Sequence, residues 1–243
     1  MKLPIVLIHG FPLDSAIWER QAKALGDKGY TVLTPDLPGF GATPVQPHAT
    51  MESFAAAIHE VIVAAGGRAV VGGFSMGGYV TLALLREYPE SVAAAMLIDT
   101  RADPDSPEAR AARLASVEDM KAGGPAKLIE TMLGRVLTKH SSPELKGRVR
   151  AIMERQRVEG IIAAQQAMAK RHDQTELFSQ LTIPLLVVVG AEDAVTPPSV
   201  AMAMHNRVPH SMLVQVAHAG HMAPMEEPER VTGAIETFLA TVR

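Results

Sequence analysis

Ser75 is the residue around which chemistry is most readily built. It stands in Gly72-Gly73-Phe74-Ser75-Met76-Gly77-Gly78, with an apolar run before it and a helix-forming run, Tyr79 to Leu85, after it. Gly73 to Gly77 reads G-x-S-x-G, a sharp strand-to-helix turn that lifts a serine hydroxyl clear of a sheet at the positive end of the next helix. Small residues flank such an apex because the backbone closes on itself there. A phosphate loop would need Gly-Lys-Ser/Thr or G-x-G-x-x-G instead. A serine hydroxyl is a weak nucleophile near neutral pH. It needs a general base within hydrogen-bond reach and a third group that orients the base.

Nine histidines compete for the role of base. His221, in VAHAGHMAPMEEPERV, follows the last strand-like run and precedes the last helix, where a loop can carry it over Ser75. His218 is its rival. The pair His218-x-x-His221 also suggests a metal, but there is no helix beneath it and no acidic ligand pattern nearby, so neither metal nor cofactor is expected. His9, next to the first apolar run, reads as a support for its turn. The acid belongs between serine and histidine in chain order for this kind of elbow. LLVVVGAEDAVTPP supplies Asp193, with Glu192 pointing elsewhere; Asp99, at the end of AAAMLIDT, is the alternative acid or a structural carboxylate, and Asp36 a turn residue. An oxyanion needs two backbone N–H donors, one from the residue after the nucleophile, Met76, and one from the turn after the first strand, Phe11, since Pro12 has no N–H.

These residues must be held by elements that bring distant segments together. Leu3–Ile8, Thr31–Thr34, Ala69–Gly72, Ala94–Ile98, Leu185–Gly190 and Met212–Val216 are short, almost wholly apolar runs, as strands buried on both faces of a parallel sheet require. Helical patterns at Ile17–Lys28, Met51–Ala65, Gly77–Glu87, Ser199–Asn206 and Pro228–Leu239 alternate with them. The expectation is an α/β fold, a doubly wound, mostly parallel sheet of about six strands. From Arg101 to Leu181 no strand signal appears and helical spacing takes over, broken at Gly123-Gly124 and Ser141-Ser142-Pro143. This predicts a helical cap over residues 101–175, inserted into a catalytic core of residues 1–100 and 176–243, and placed over the strand ends where ligands bind.

Composition narrows the class. The chain has 243 residues, 47% hydrophobic and 20% charged, with a net charge of −3 and no cysteine. That is one globular domain with room for an insertion, without disulfides, thiolate chemistry or cysteine-held zinc. Lys and Arg are scattered, so no nucleic-acid partner is expected. The opening MKLPIVLIHG is too short in apolar residues for a secretory leader and no run is long enough for a membrane span, so the reading is a soluble cytoplasmic protein acting on a small-molecule substrate.

IVLIHGFPLD, TPDLPGFGAT, GFSMGGYV, LLVVVGAEDAVTPP and VAHAGHMAPMEEPERV together resemble the α/β-hydrolase superfamily, in its small, helical-capped branch of serine esterases, enol-lactonases and related perhydrolases. The resemblance implies a Ser75–Asp193–His221 triad with Phe11 and Met76 as oxyanion donors. It departs from the family at the start, where two leading strands are usual and the strand ending in His9-Gly10 is here the first.

Serine, rather than the aspartate of relatives that cleave carbon–halogen bonds or epoxides, implies acyl transfer. Hydrolysis of carboxylic esters (a carboxylesterase) leads; a lactonase resembling 3-oxoadipate enol-lactonases, or a perhydrolase side activity, is the alternative, and a non-catalytic ligand-binding protein of the same fold is the reading from another class. Met120, Met132, Met153 and Met168 in the insertion and Trp18 near the oxyanion turn are candidates for the substrate pocket, and Arg101 with other insertion arginines is a candidate for a substrate carboxylate.

Overall fold

Six apolar runs become strands, β1 (Ile5–Ile8), β2 (Val32–Leu33), β3 (Ala69–Phe74), β4 (Val92–Ile98), β5 (Leu185–Gly190) and β6 (Met212–Val216), and every neighbouring pair is parallel, in the order β2-β1-β3-β4-β5-β6. The protein is described from a computed structural model covering residues 2–242. The chain steps outward from β1 to β2, then returns past β1 to β3, so the ends of β1 and β3 flank the switch point at which open sheets bind ligands. Phe11 follows one of these strands and Ser75 the other.

Successive residues of a strand face opposite sides of the sheet. Val6, Ile8 and Val71 join one buried cluster with Phe54 and Ile58 of α2 (Met51–Ala64), Leu82 of α3 (Met76–Glu87) and Met204 of α8 (Pro198–Arg207). Ile5, Leu7 and Val70 join the other with Leu25 of α1 (Glu19–Asp27) and Ile235 and Phe238 of α10 (Pro228–Leu239). Helices on both faces make the sheet doubly wound, and β1 is the first strand among the described residues.

Element ends depart from the sequence reading for local reasons. β1 begins at Ile5 because Pro4 has no N–H for the ladder, although its carbonyl still accepts from Val70 at 2.9 Å. β2, on the sheet edge and half-buried, shortens to two residues. β3 runs two residues further than its apolar pattern suggests and delivers the chain directly to Ser75.

Between β4 and β5 lie four helices, α4 (Pro107–Gly123), α5 (Ala126–Val136), α6 (Pro143–Glu154) and α7 (Val158–Ala169). Ser106-Pro107 and Ser142-Pro143 start two of them in the same way. Each serine hydroxyl accepts a backbone N–H three residues on, at 3.2 and 3.1 Å, and the proline occupies the first helical position, where no N–H is needed. Gly124, at φ +76°, ends α4. Ile161, Ala164 and Met168 of α7 join the first core cluster, whereas Ile129 of α5 and Val149 and Met153 of α6 join the second. The insertion is therefore continuous with both core clusters. Among the described residues no helix is long and apolar enough to cross a membrane.

Candidate active site

Ser75 lies at the apex between β3 and α3 with φ +51° and ψ −114°, a conformation costly for a residue with a Cβ and of the kind found at functional turns. The glycines around it do not take the left-handed backbone themselves; they make space. A Cβ on Gly73 would sit 2.1 Å from the Gly77 carbonyl oxygen, and one on Gly77 would sit 2.4 Å from that of Ile8. Only residues without side chains let α3 start this close to β1 and β3. The apex is tied down by Ser75 N–H to the Ile98 carbonyl (2.9 Å) and by the Thr100 hydroxyl donating to the Ser75 carbonyl (2.7 Å).

The loop after β6 brings His221 to this apex. Its Nε2 is 2.9 Å from Ser75 Oγ, and its Nδ1 is 2.8 Å from Asp193 Oδ2. Asp193, in the loop after β5, is nearly filled with donors: Val195 and Thr196 N–H at 2.7 and 2.9 Å on Oδ1, and the Thr196 hydroxyl at 2.7 Å on Oδ2. Burial pushes the Asp193 carboxyl towards the neutral form, but the His221 hydrogen bond and charge and the two Thr196 donors outweigh it, so the group is held below the usual carboxylate range as an anion. A carboxylate only accepts, so Nδ1 carries the imidazole proton and Nε2 offers its lone pair to the serine hydroxyl.

The amides of Phe11 and Met76 are the two expected oxyanion donors. Among the described residues neither donates to a backbone carbonyl or a side chain. Both residues are buried; Met76 opens α3, and Phe11 follows the β1 end in a loop closed by Leu13 N–H to the Gly10 carbonyl at 3.1 Å.

The other candidates separate cleanly. Asp99 makes no hydrogen bond to His221 or Ser75; its Oδ1 accepts from Gly190 N–H at 2.7 Å, joining the ends of β4 and β5. Full burial, reinforced by the charge of Asp193, pushes its carboxyl well above the ordinary range despite the Gly190 bond. His218 is exposed, at φ +64°, and makes no hydrogen bond to Ser75 or Asp193. Among the described residues no group of three or more His, Asp or Glu is arranged to hold a metal ion. His9 is fully buried and accepts from Leu37 N–H at 2.9 Å, with its other nitrogen 2.9 Å from the Gly10 carbonyl; burial lowers its pKa, and the neutral ring ties the β1 end to the turn after β2. In that turn Asp36 accepts from Ser15 and Ala42.

A cavity of about 620 Å³ lies between the strand ends and the insertion; Phe11 and Thr196 line it, whereas Ser75 and His221 are not among its lining residues. Met120 and Met132 line it, beside an alanine face of α4. Trp18, Met153 and Met168 do not. Trp18 is fully buried behind the elbow, edge-on to Phe74 with ring centroids 6.4 Å apart, and Phe74 in turn lies 5.3 Å from the His221 ring. Met153 packs in the core, and the Met168 sulfur is 3.7 Å from Arg113 Nη1. Four cations reach the cavity wall. Arg101 pairs with Asp103, Arg113 with Asp105 at 2.8 Å and Lys127 with Asp119 at 2.6 Å. Arg135, exposed in the last turn of α5, has no hydrogen-bond or ion-pair partner among the described residues.

A family model described as the alpha/beta hydrolase fold matches residues 4–228. This chain belongs to the α/β-hydrolase fold family. The α/β hydrolase is similar over its whole length to a thermophilic esterase from Thermogutta terrifontis, solved with malate bound, at 42% identity and a TM-score of 0.96 over 91% of that chain. It is 26% identical to Lipase 1 of Psychrobacter immobilis over 97% of this chain and 76% of that protein. It is 29% identical to a pimeloyl-[acyl-carrier protein] methyl ester esterase of Neisseria meningitidis serogroup B, covering 97% of this chain and 92% of the relative. This is a hydrolase fold with esterase and lipase relatives.

Sequence reasoning missed Thr196, which bonds Asp193 and also lies 3.3 Å from His221 Nδ1. Its place three residues after the aspartate, where a hydroxyl and an N–H can fold back onto the carboxylate, was the available signal.

Proposed function

We propose that this α/β hydrolase cleaves carboxylic esters of small substrates through an acyl-enzyme on Ser75. The observation that carries the reading is the unbroken chain of hydrogen bonds from Ser75 Oγ through His221 to the Asp193 carboxylate. As Oγ attacks the ester carbonyl, its proton passes to His221 Nε2; the resulting imidazolium is stabilised by Asp193, which stays ionised. The tetrahedral oxyanion takes the N–H groups of Phe11 and Met76, each contributing about 2.7–4 kcal/mol if lost singly. His221 then hands the proton to the leaving alkoxide, the alcohol departs, and a water activated by the same Nε2 releases the acid. Residues 101–175 act as the cap. Met120 and Met132 supply an adaptable apolar wall for the acyl or alcohol part.

A second reading, opening of a lactone that carries a carboxylate, uses the same steps. Arg135 favours it, as the cavity cation without an acidic partner, whereas Arg101 is held by Asp103. The Thermogutta terrifontis esterase was solved with malate bound, an anion of the class such a cavity would take. Initial rates on aryl esters from acetate to decanoate, beside a carboxylated enol-lactone and with Ser75→Ala as control, separate the readings. Turnover peaking at short esters supports the carboxylesterase; a strong lactone preference supports the second reading; no turnover of either by a protein that reacts with a serine-directed phosphonate would remove both.

A further inference from the structure

Helix α6 is fastened at both ends to loops that carry the proposed chemistry. At its N-terminal end, Glu226 of the short helix α9 (Ala223–Glu226) accepts on Oε1 from Thr138 N–H at 2.8 Å and from the Ser141 hydroxyl at 2.7 Å. The other oxygen of the same carboxylate accepts from Gly220 N–H at 2.8 Å. On the far side of His221, Met222 N–H donates to the Val136 carbonyl at 3.1 Å. The N–H groups of Gly220 and Met222, on either side of the histidine, are thus tied to the Val136–Ser141 stretch that leads into α6, the first through Glu226 and the second directly. At the C-terminal end, Arg155 grips Asp14 in a two-pronged pair, Nε to Oδ2 at 2.7 Å and Nη2 to Oδ1 at 2.6 Å, and Gln156 Nε2 adds a bond to Oδ2 at 2.7 Å. Asp14 is buried and ends the loop that begins with Phe11. Between the two ends, Val149, Ile152 and Met153 anchor α6 in the core cluster that contains Trp18 and Phe74.

We propose that α6 is a brace that sets the separation of the His221 loop from the Phe11 loop, with Glu226 and Asp14 as positioning residues. The inference rests on the roles given above to His221 and Phe11. Loops are the most mobile parts of such a site, and a misplacement of about 1 Å can cost roughly 100-fold in rate. One helix with buried contacts and a charge-assisted grip at each end removes that freedom for both loops at once. It does so without touching substrate.

The test is a double-mutant cycle of Glu226→Gln and Asp14→Asn in the full-length protein, assayed on an aryl ester at a temperature where circular dichroism shows every variant folded. A glutamine has one acceptor oxygen for donors that arrive on two sides, so it keeps either Gly220 or the Thr138–Ser141 pair. Each single variant is expected to lose about 10- to 100-fold in kcat with KM within about threefold, the split for a defect felt in the transition state and not in binding. The double variant is expected to fall well short of the product of the two losses, because releasing one end already frees the brace. Arg150→Ala, which removes the exposed α6–α5 pair with Glu130, is the control and keeps the parent kcat. Single variants that only lower Tm, with kcat within twofold of the parent, overturn the brace. Losses that multiply fully replace it with two independent tethers. If either variant does not fold, Ser141→Ala and Arg155→Lys probe the same two ends by the same criteria. Ser75→Ala, run alongside, separates the failures: if it retains turnover the proposed chemistry is wrong, and if it is dead while the brace variants are parent-like only the brace is wrong.

Discussion

Asp193→Asn isolates the orienting role of the carboxylate from its bulk. Two backbone N–H groups, from Val195 and Thr196, converge on Oδ1 at 2.7 and 2.9 Å and cannot turn away. An asparagine must present its carbonyl oxygen to them, which places its NH2 at the position of Oδ2, 2.8 Å from His221 Nδ1. A donor there forces Nδ1 to accept. The ring proton moves to Nε2, and the lone pair that faced Ser75 is gone. The side chain keeps its volume and its backbone bonds, so the fold survives. The loss is expected to approach 10⁴-fold in kcat, about 5.5 kcal/mol. The assay is kcat on a short aryl ester beside the rate of labelling by a serine-directed phosphonate, both of which need the serine activated. A loss under tenfold in both would refute the tautomer argument, and a larger loss in Asp99→Asn would show that the wrong acid has been chosen.

Other outcomes follow from single features. Asp99 has its carboxyl pKa raised from the ordinary 3.8 by burial. The folded state therefore holds a proton that the unfolded chain releases, and stability is lost as pH rises from about 4 towards the folded pKa, at up to ~1.4 kcal/mol per pH unit. Chemical denaturation of Asp99→Asn should accordingly gain on the parent as pH rises above about 4; a pH-independent difference would contradict the raised pKa. Asp14 and Asp193 are shifted the other way, so their stabilisation is present above about pH 4 and disappears as pH falls through their folded pKa values. Gly77→Ala puts a Cβ 2.4 Å from the Ile8 carbonyl oxygen, and the forced shift of β1 from α3 should cost about 1–3 kcal/mol, read as a Tm drop of ~2–4 °C per kcal/mol; an unchanged Tm would contradict the packing described. Arg135→Ala should lower kcat/KM about tenfold for an ester with a free carboxylate and leave its neutral counterpart unchanged, the lower end of a charge-assisted hydrogen bond for a partly solvated site. Equal effects on both esters would deny it a role in recognition.

The fold was legible because each central strand is a short apolar run and each helix carries its own period. Those signals are local. The Ser75 elbow was legible for the same reason, since its glycine-flanked serine fits a nucleophile turn and lacks the Gly-Lys-Ser/Thr or G-x-G-x-x-G of a phosphate loop. What stayed hidden depends on contacts between distant segments. Trp18 looks like a pocket residue by its nearness to Phe11 in sequence, yet the turn at Ser15–Trp18 sends it behind Phe74. Four insertion methionines are alike in sequence, and only the packing of α4 on α7 and α5 on α6 decides that Met120 and Met132 face the cavity while Met153 and Met168 do not. The four-residue helix α9, with Pro224 in second place, carries no periodic signal, so Glu226 and its hold on Gly220 could not be read in advance. The partner of Asp14, 141 residues away at Arg155, is likewise a matter of tertiary structure.

The central claim is that Ser75 carries the acyl group. Intact-protein mass spectrometry and peptide mapping after treatment with a fluorophosphonate test it directly. One adduct per chain is expected, located on Ser75, with loss of ester hydrolysis in proportion to labelling and no adduct in Ser75→Ala. An adduct on another residue, or full ester turnover by a protein quantitatively labelled at Ser75, would contradict it.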